Sequence, residues 1–261
     1  MPELLVDDAD GVRTFTLNRP EAFNSFTVSL KEAFLDAVLD VAKDESVRAV
    51  VITGAGRAFC AGQDLKEHIA LLEAGDPAPL NTVELHYNPL IKAIIGMPKP
   101  VIAAVNGTAA GAGASIAYAC DLRVAAASAK FLMAFANVGL TSDSGAAWTL
   151  PRLIGHGRAM EMMMLAQPVD AADALRIGMV GQVVPDGEAL STAQALARRL
   201  AAGPTTAYAM IKKALAVGSG GTLDDALDIE ASTQATAGAT DDHREAVAAF
   251  VAKRTPKFTG K

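Results

Sequence analysis

Cysteine is scarce in this chain: two in 261 residues, Cys60 and Cys120, far apart and outside any C-x-x-C pair. A disulfide framework is not expected, and a reducing, cytoplasmic compartment is. Histidine is as thin. His68, His86, His156 and His243 lie scattered without ligand spacing, so no structural or catalytic metal is expected. Positive charge is in deficit, with Lys+Arg 23 against Asp+Glu 29 and a net charge of −6 at pH 7. That argues against a nucleic-acid-binding surface. The opening Met1-Pro2-Glu3-Leu4 has neither a basic region nor an apolar signal core, so no targeting segment is expected. One uncharged stretch, residues 100–120, approaches the length that spans a bilayer. It is rich in Ala and Gly and carries Asn106, Thr108 and Ser115. A buried strand, loop and helix is expected there, and no membrane association.

The glycine motifs are incomplete too. Gly54-Ala55-Gly56 and Gly111-Ala112-Gly113 lack the third glycine of a dinucleotide fingerprint and the Gly-Lys-Ser/Thr of a phosphate loop. Tight packing between strand and helix is the simpler role for them.

What is present is a large apolar fraction, 51% hydrophobic against 20% charged. That is enough for a sizeable core in one compact domain with an appendage, or in two small domains. Residues 3–17 alternate around Asp10-Gly11 as a hairpin. Leu30, Phe34, Ala37, Val38 and Val41 recur at helical spacing, which predicts a helix from Thr27 to about Lys43. Val47 to Thr53 reads as a buried strand. Short strands and helices then alternate to about residue 190. Alanine-rich helices follow, separated by Gly203-Pro204 and Gly218-Ser219-Gly220-Gly221. A boundary is placed near residue 195, with a core over 1–195 and a helical region for oligomerisation and lid over 196–261.

Two loops organise the chain. Arg57-Ala58-Phe59-Cys60-Ala61-Gly62-Gln63-Asp64 follows the strand-like Ala49–Thr53, and Asn106-Gly107-Thr108-Ala109-Ala110-Gly111-Ala112-Gly113 follows Val101–Val105. Each leads toward a helix. Such turns can aim free backbone N–H groups at one point, where an oxyanion would be stabilised.

These loops, with Leu17-Asn18-Arg19-Pro20, Asp121-Leu122-Arg123 and Ala174-Leu175-Arg176-Ile177-Gly178-Met179-Val180, resemble the enoyl-CoA hydratase/isomerase (crotonase) superfamily. The resemblance runs in order over nearly the whole chain. It implies an α/β fold, a spiral of ββα units with a C-terminal α-helical region, assembled as a homotrimer or a dimer of trimers. It implies an acyl-CoA thioester substrate, with coenzyme A entering as part of that substrate and no separate cofactor. The backbone N–H groups of Gln63 and Ala112 become the oxyanion donors, with Gly111 keeping the backbone accessible. Ala22, Ala61, Asp64 and Leu65 would lie along the coenzyme A portion. Lys257 and Phe258 would reach the nucleotide of a neighbouring subunit, or simply form a solvated basic end. Arg19 is a further candidate for phosphate.

A hydratase of this superfamily handles water with two glutamates. The matching positions here are Ser115 and Phe135, so hydration is expected to be weak or absent. One carboxylate remains, Asp143 in Gly139-Leu140-Thr141-Ser142-Asp143-Ser144-Gly145. On its own it would read as a helix N-cap. The resemblance assigns it the acid/base role of the superfamily's isomerases, closest to those acting on ring-epoxidised phenylacetyl-CoA and 3-enoyl-CoA esters. Two other functions stand beside that one: a nucleophilic aspartate in aroyl-CoA dehalogenation or thioester hydrolysis, and a weakly catalytic acyl-CoA-binding scaffold.

Overall fold

The structure, a computed structural model, describes residues 2–261. Strands β1 (Leu4–Ala9) and β2 (Val12–Leu17) pair antiparallel, with Ala9 opposite Val12. Asp10 and Gly11 between them both take positive φ, 54° and 73°, as a two-residue hairpin with the twist of its strands requires. Thr27 caps α1 (Val28–Lys43), its hydroxyl accepting the Leu30 N–H at 3.1 Å. Leu30, Phe34, Val38 and Val41 bury one face of that helix. The chain then returns as β3 (Ala49–Gly54), parallel to β2.

From here the path becomes a spiral. β3, β5 (Val101–Val105) and β7 (Leu122–Ala126) enter a six-stranded sheet of order β1-β2-β3-β5-β7-β10, where β10 is Gln182–Val184. The strand after each, namely β4 (Ala58–Cys60), β6 (Thr108–Ala110) and β8 (Lys130–Leu132), enters a four-stranded sheet of order β4-β6-β8-β9, closed by β9 (Val169–Asp170). Helices α2 (Leu65–Glu73), α3 (Asn88–Gly96), α4 (Ala112–Ala119), α5 (Ala146–Ile154), α6 (His156–Leu165) and α7 (Ala171–Arg176) fill the returns. The spiral of ββα turns is therefore the observed fold. Residues 100–120 form β5, β6 and α4, and no helix among the described residues is long and apolar enough to cross a membrane.

The long sheet is covered on both faces, which is why its strands read as unbroken apolar runs. Val50, Ile52, Val101, Ala103 and Val105 point into the main core. Ala49, Val51, Ile102 and Ala104 point the other way, against helix α8 (Ala189–Ala201). Ala189, Ala193, Ala197 and Ala201 repeat every four residues and are all buried on that face. Small side chains there let the helix lie close to the strands. The boundary expected near residue 195 thus falls inside α8, which belongs to the core. The change of character comes later, at Gly203-Pro204, before α9 (Thr205–Gly218), α10 (Leu223–Gly238) and α11 (Asp241–Val251).

Asn24 holds the corner where the first two turns meet. It is fully buried, with φ +57°. Its amide donates to the carbonyl oxygens of Ala55 at 2.9 Å and Ala58 at 2.8 Å, and its oxygen accepts the Arg19 N–H at 2.9 Å. Asn24→Ala strands these groups and is expected to cost about 3 kcal/mol. Urea unfolding would show this as a lower midpoint at unchanged slope.

The Asp121-Leu122-Arg123 and Ala174–Val180 segments meet each other. The buried Arg123 guanidinium, carried on β7, donates to the carbonyls of Met179 at 2.7 Å and Cys120 at 2.6 Å.

Candidate active site

The two small-residue loops pack directly on one another. A β-carbon on Gly62 would stand 2.9 Å from the Ala110 carbonyl oxygen and 3.2 Å from the Ala112 nitrogen. One on Gly113 would stand 2.3 Å from the Cys60 carbonyl oxygen. Glycine at these two positions is what allows the contact. Gly62 and Asp64 use their backbone to join Phe26: Phe26 donates to the Gly62 carbonyl at 2.7 Å and Asp64 donates to the Phe26 carbonyl at 3.0 Å. Gln63, between them, is left with its N–H facing the other way. Among the described residues neither the Gln63 N–H nor the Ala112 N–H has an acceptor. Ala112 opens α4, where the first N–H groups are free by construction.

The two positions at which a hydratase would carry glutamates hold inert groups. Ser115 is buried and donates to the Gly111 carbonyl at 3.1 Å, inside its own helix. The Phe135 ring reaches to 3.8 Å from where a Gly111 β-carbon would be.

Asp143 does not cap a helix. Helix α5 is capped by Gly145, and no side chain accepts from its first turn. Ser144 and Gly145 both take the left-handed conformation, φ +51° and +71°, so the chain turns sharply just after Asp143. Gly145 lies against Ile91 of α3. The Asp143 carboxylate is half-buried, and among the described residues its partner is the Ser144 hydroxyl at 2.8 Å. Burial pushes its pKa above the ordinary aspartate value, although the Ser144 hydrogen bond and the positive charge of Lys31 pull the other way.

Lys31 was not singled out from the sequence, nor was its network. It is 1% exposed on the inner face of α1. Its ammonium bonds the Gln63 side-chain oxygen at 3.1 Å and the Thr82 hydroxyl, and stands 5.2 Å from the centre of the Tyr87 ring. Tyr87, in the π-helical turn Val83–Tyr87, donates its own hydroxyl to the same Gln63 oxygen at 2.7 Å. Burial lowers the Lys31 pKa and raises that of Tyr87, and the Asp143 charge raises both. A signal for Lys31 did exist: Lys31, Phe34, Val38 and Val41 follow one helical stripe, so the lysine stands on the buried face.

The remaining sequence candidates divide. Ala22, Ala61 and Leu65 lie beside the first loop with Ala61 and Leu65 exposed, and Ala61 donates to the Phe23 carbonyl at 3.0 Å. The Arg57 guanidinium covers the neighbouring Phe23 ring at 4.4 Å, an exposed cation the sequence had not marked. Asp64 and Arg19 are already paired with each other at 2.8 Å. Asp64 also accepts from Ser25 and from the Lys66 N–H that opens α2, and Arg19 bonds Glu3 and the Ser25 carbonyl. Both side chains take part in holding the loop. Cys60 is fully buried, and burial pushes its thiol up to about 12, which removes it as a nucleophile.

Within this chain Lys257 and Phe258 do not join the loops. Arg48 donates to the Phe258 carbonyl at 3.1 Å, and Glu245 accepts the Lys257 N–H at 2.9 Å. Arg48 precedes β3, whereas the first loop follows it. Trp148 opens onto a separate cavity. It is covered by Arg152, 3.9 Å away, and the cavity, of about 600 Å³, lies between α4, α5 and α9.

The enoyl-CoA hydratase/isomerase family model matches residues 7–261. The chain belongs to the enoyl-CoA hydratase/isomerase family. A 1,2-epoxyphenylacetyl-CoA isomerase of Escherichia coli (strain K12) is 47% identical over 253 residues, 96% of each chain. A protein of Rhodobacter capsulatus named "Probable enoyl-CoA hydratase" is 43% identical, covering 97% of this chain and 96% of its own. The crystal structure of an enoyl-CoA hydratase from Polaromonas sp. JS666 superimposes with a TM-score of 0.92 at 35% identity, covering 98% of this chain and 99% of that one. The family thus includes relatives named as isomerases and as hydratases, and an acyl-CoA thioester is the substrate class consistent with it.

Proposed function

We propose that this member of the family is an acyl-CoA isomerase that moves a double bond with one carboxylate. The thioester carbonyl oxygen accepts the Gln63 and Ala112 N–H groups. Asp143, ionised, removes a proton from the acyl chain, and the negative charge spreads through the dienolate onto that oxygen. The protonated Asp143 then returns the proton two carbons away, so no water is consumed. Fixed backbone donors suit this step because they need no reorganisation as the charge develops. In the ring-epoxide substrate named for the E. coli relative, the same proton transfers would accompany ring opening.

The observation that carries this reading is the solitary state of Asp143. It is desolvated and caps nothing, and positions 115 and 135 hold a serine and a phenylalanine, not an acid. A water-adding site needs a second such group. The strip of half-buried Ala22 and exposed Ala61 and Leu65, with Arg57 beside it, takes the coenzyme A portion. Lys257 and Phe258 reach the site of a neighbouring copy. Phe250 is 85% exposed on α11, and Ile211, Leu215 and Leu223 are exposed on α9 and α10. Such apolar surface on the C-terminal helices supports assembly into trimers.

The test is turnover by the wild-type protein. A 3-enoyl-CoA should yield conjugated 2-enoyl-CoA, and 2-enoyl-CoA should gain water at least about 100-fold more slowly. Efficient hydration would overturn the reading, and a covalent acyl-enzyme at Asp143 would replace it with nucleophilic chemistry. The pH dependence follows from the base. Asp143 must be ionised to accept the proton, and burial raises its pKa. On acidification kcat/KM should therefore fall at a higher pH than the ordinary aspartate value of about 4 would give.

A further inference from the structure

Phe135 reaches the second loop by direct contact. Outside the chain neighbours of Gly111, the outermost carbon of the Phe135 ring is the only atom within 4 Å of where a Gly111 β-carbon would be, at 3.8 Å. With glycine there, no side chain separates the ring from the Gly111–Ala112 peptide, and that peptide carries the Ala112 N–H. The ring belongs to the 3-10 turn Ala134–Val138, and the Leu140 N–H donates back to the Phe135 carbonyl at 3.0 Å. Phe135 packs on the main core yet is only half-buried, so part of its surface stays uncovered. Val138 and Leu140, which follow it, are 60% and 39% exposed. Residues 134–140 carry no charge. Apolar surface therefore lies along the chain path from the Gly111 contact to Asp143.

We infer that Phe135 is a specificity-determining residue: its ring packs against the first carbons beyond the thioester and favours aromatic acyl groups over saturated ones of the same size. This role rests on the acyl-CoA site proposed above and narrows its substrates to aryl-substituted thioesters. A carbonyl oxygen on the Ala112 N–H sits about 2.9 Å from that nitrogen. The acyl carbons next to it then lie on the flank of the peptide that the ring touches. An aromatic ring has a negative face and a positive edge, so a second ring gains from an offset or edge-on arrangement beyond the area it buries. A saturated ring buries similar area without that gain. The residue type matters for this reason: an aliphatic side chain at position 135 would fill the same place and exclude water equally well, but would not tell the two kinds of acyl group apart.

Binding tests this without turnover. Dissociation constants of phenylacetyl-CoA and cyclohexylacetyl-CoA, which differ in the aromaticity of one ring, would be measured by calorimetry on the full-length protein. The wild type should bind the phenyl ester about fivefold more tightly, the worth of one aromatic pair. Phe135→Leu keeps an apolar side chain and should bring the two esters to about equal affinity by weakening the phenyl ester alone. Phe135→Met, whose flexible side chain fills irregular gaps, should give the same loss and serves where Phe135→Leu fails to fold. Equal affinities in the wild type would overturn the inference, and so would a preference that survives both variants. Variants that weaken both esters equally would overturn it too, since a plain apolar wall gives that result. A protein that binds with the preference yet moves no double bond would take down the isomerase reading alone. Failure to bind either ester would remove the acyl-CoA site itself, and the role of Phe135 with it.

Discussion

Asp143→Asn should lower kcat/KM for a 3-enoyl-CoA by about 10³-fold, within the range that a positioned acid/base contributes. The asparagine is isosteric and can keep a bond from Ser144, so the fold and the apparent affinity for the ester should be nearly unchanged. The loss should therefore fall on kcat. Exchange of the acyl proton into deuterated water should vanish with it, because the same group removes that proton. Conjugated product forming at the wild-type rate would rule out the assigned role.

Gly113→Ala should damage both stability and activity. Its β-carbon would sit 2.3 Å from the Cys60 carbonyl oxygen and 2.7 Å from the Cys60 β-carbon. Those atoms belong to β4 and a fully buried side chain, so neither can swing aside. The two loops would have to separate by about 1 Å, a displacement that can cost about 10²-fold in rate when reacting groups are misplaced. The strain itself should cost about 3 kcal/mol. Gly238→Ala is the control. Nothing lies within 4 Å of its β-carbon position at the end of α10, so it should be neutral or slightly stabilising. Comparing the two by thermal unfolding and turnover separates the loop contact from a general effect of filling glycines. Wild-type turnover by Gly113→Ala would mean that the close approach of the loops is not required.

Much of the local structure could be read from residue types alone. The turn at Asp10-Gly11, the cap at Thr27, the buried runs at Val50 and Ile102, and the helix after Gly111 each follow from chemistry confined to neighbouring residues. The family was equally legible, because its motifs are short loops whose small residues are dictated by backbone contact. Alanine spacing misled near residue 195. The stripe Ala189, Ala193, Ala197 and Ala201 resembles the start of a peripheral tail, and nothing local reveals that a sheet lies against it. Arg19 and Asp64 show the same dependence on the fold. Each is a plausible ligand by type, and only the folded chain reveals that they pair with each other at 2.8 Å.

The sequence by itself determined the hairpin, the first helix and the buried strands of the long sheet, the glycines at the loop contacts, and the absence of two carboxylates from positions 115 and 135. Those are properties of identity and spacing, which need no partner to be defined. The short strands β4 and β6 inside the two loops came only with the fold. The tertiary structure decided what Asp143, Lys31 and Tyr87 are to one another. They come from three separate segments. Their protonation, their orientation and the direction of the Gln63 amide depend on burial and on charges that become neighbours only when the chain is folded.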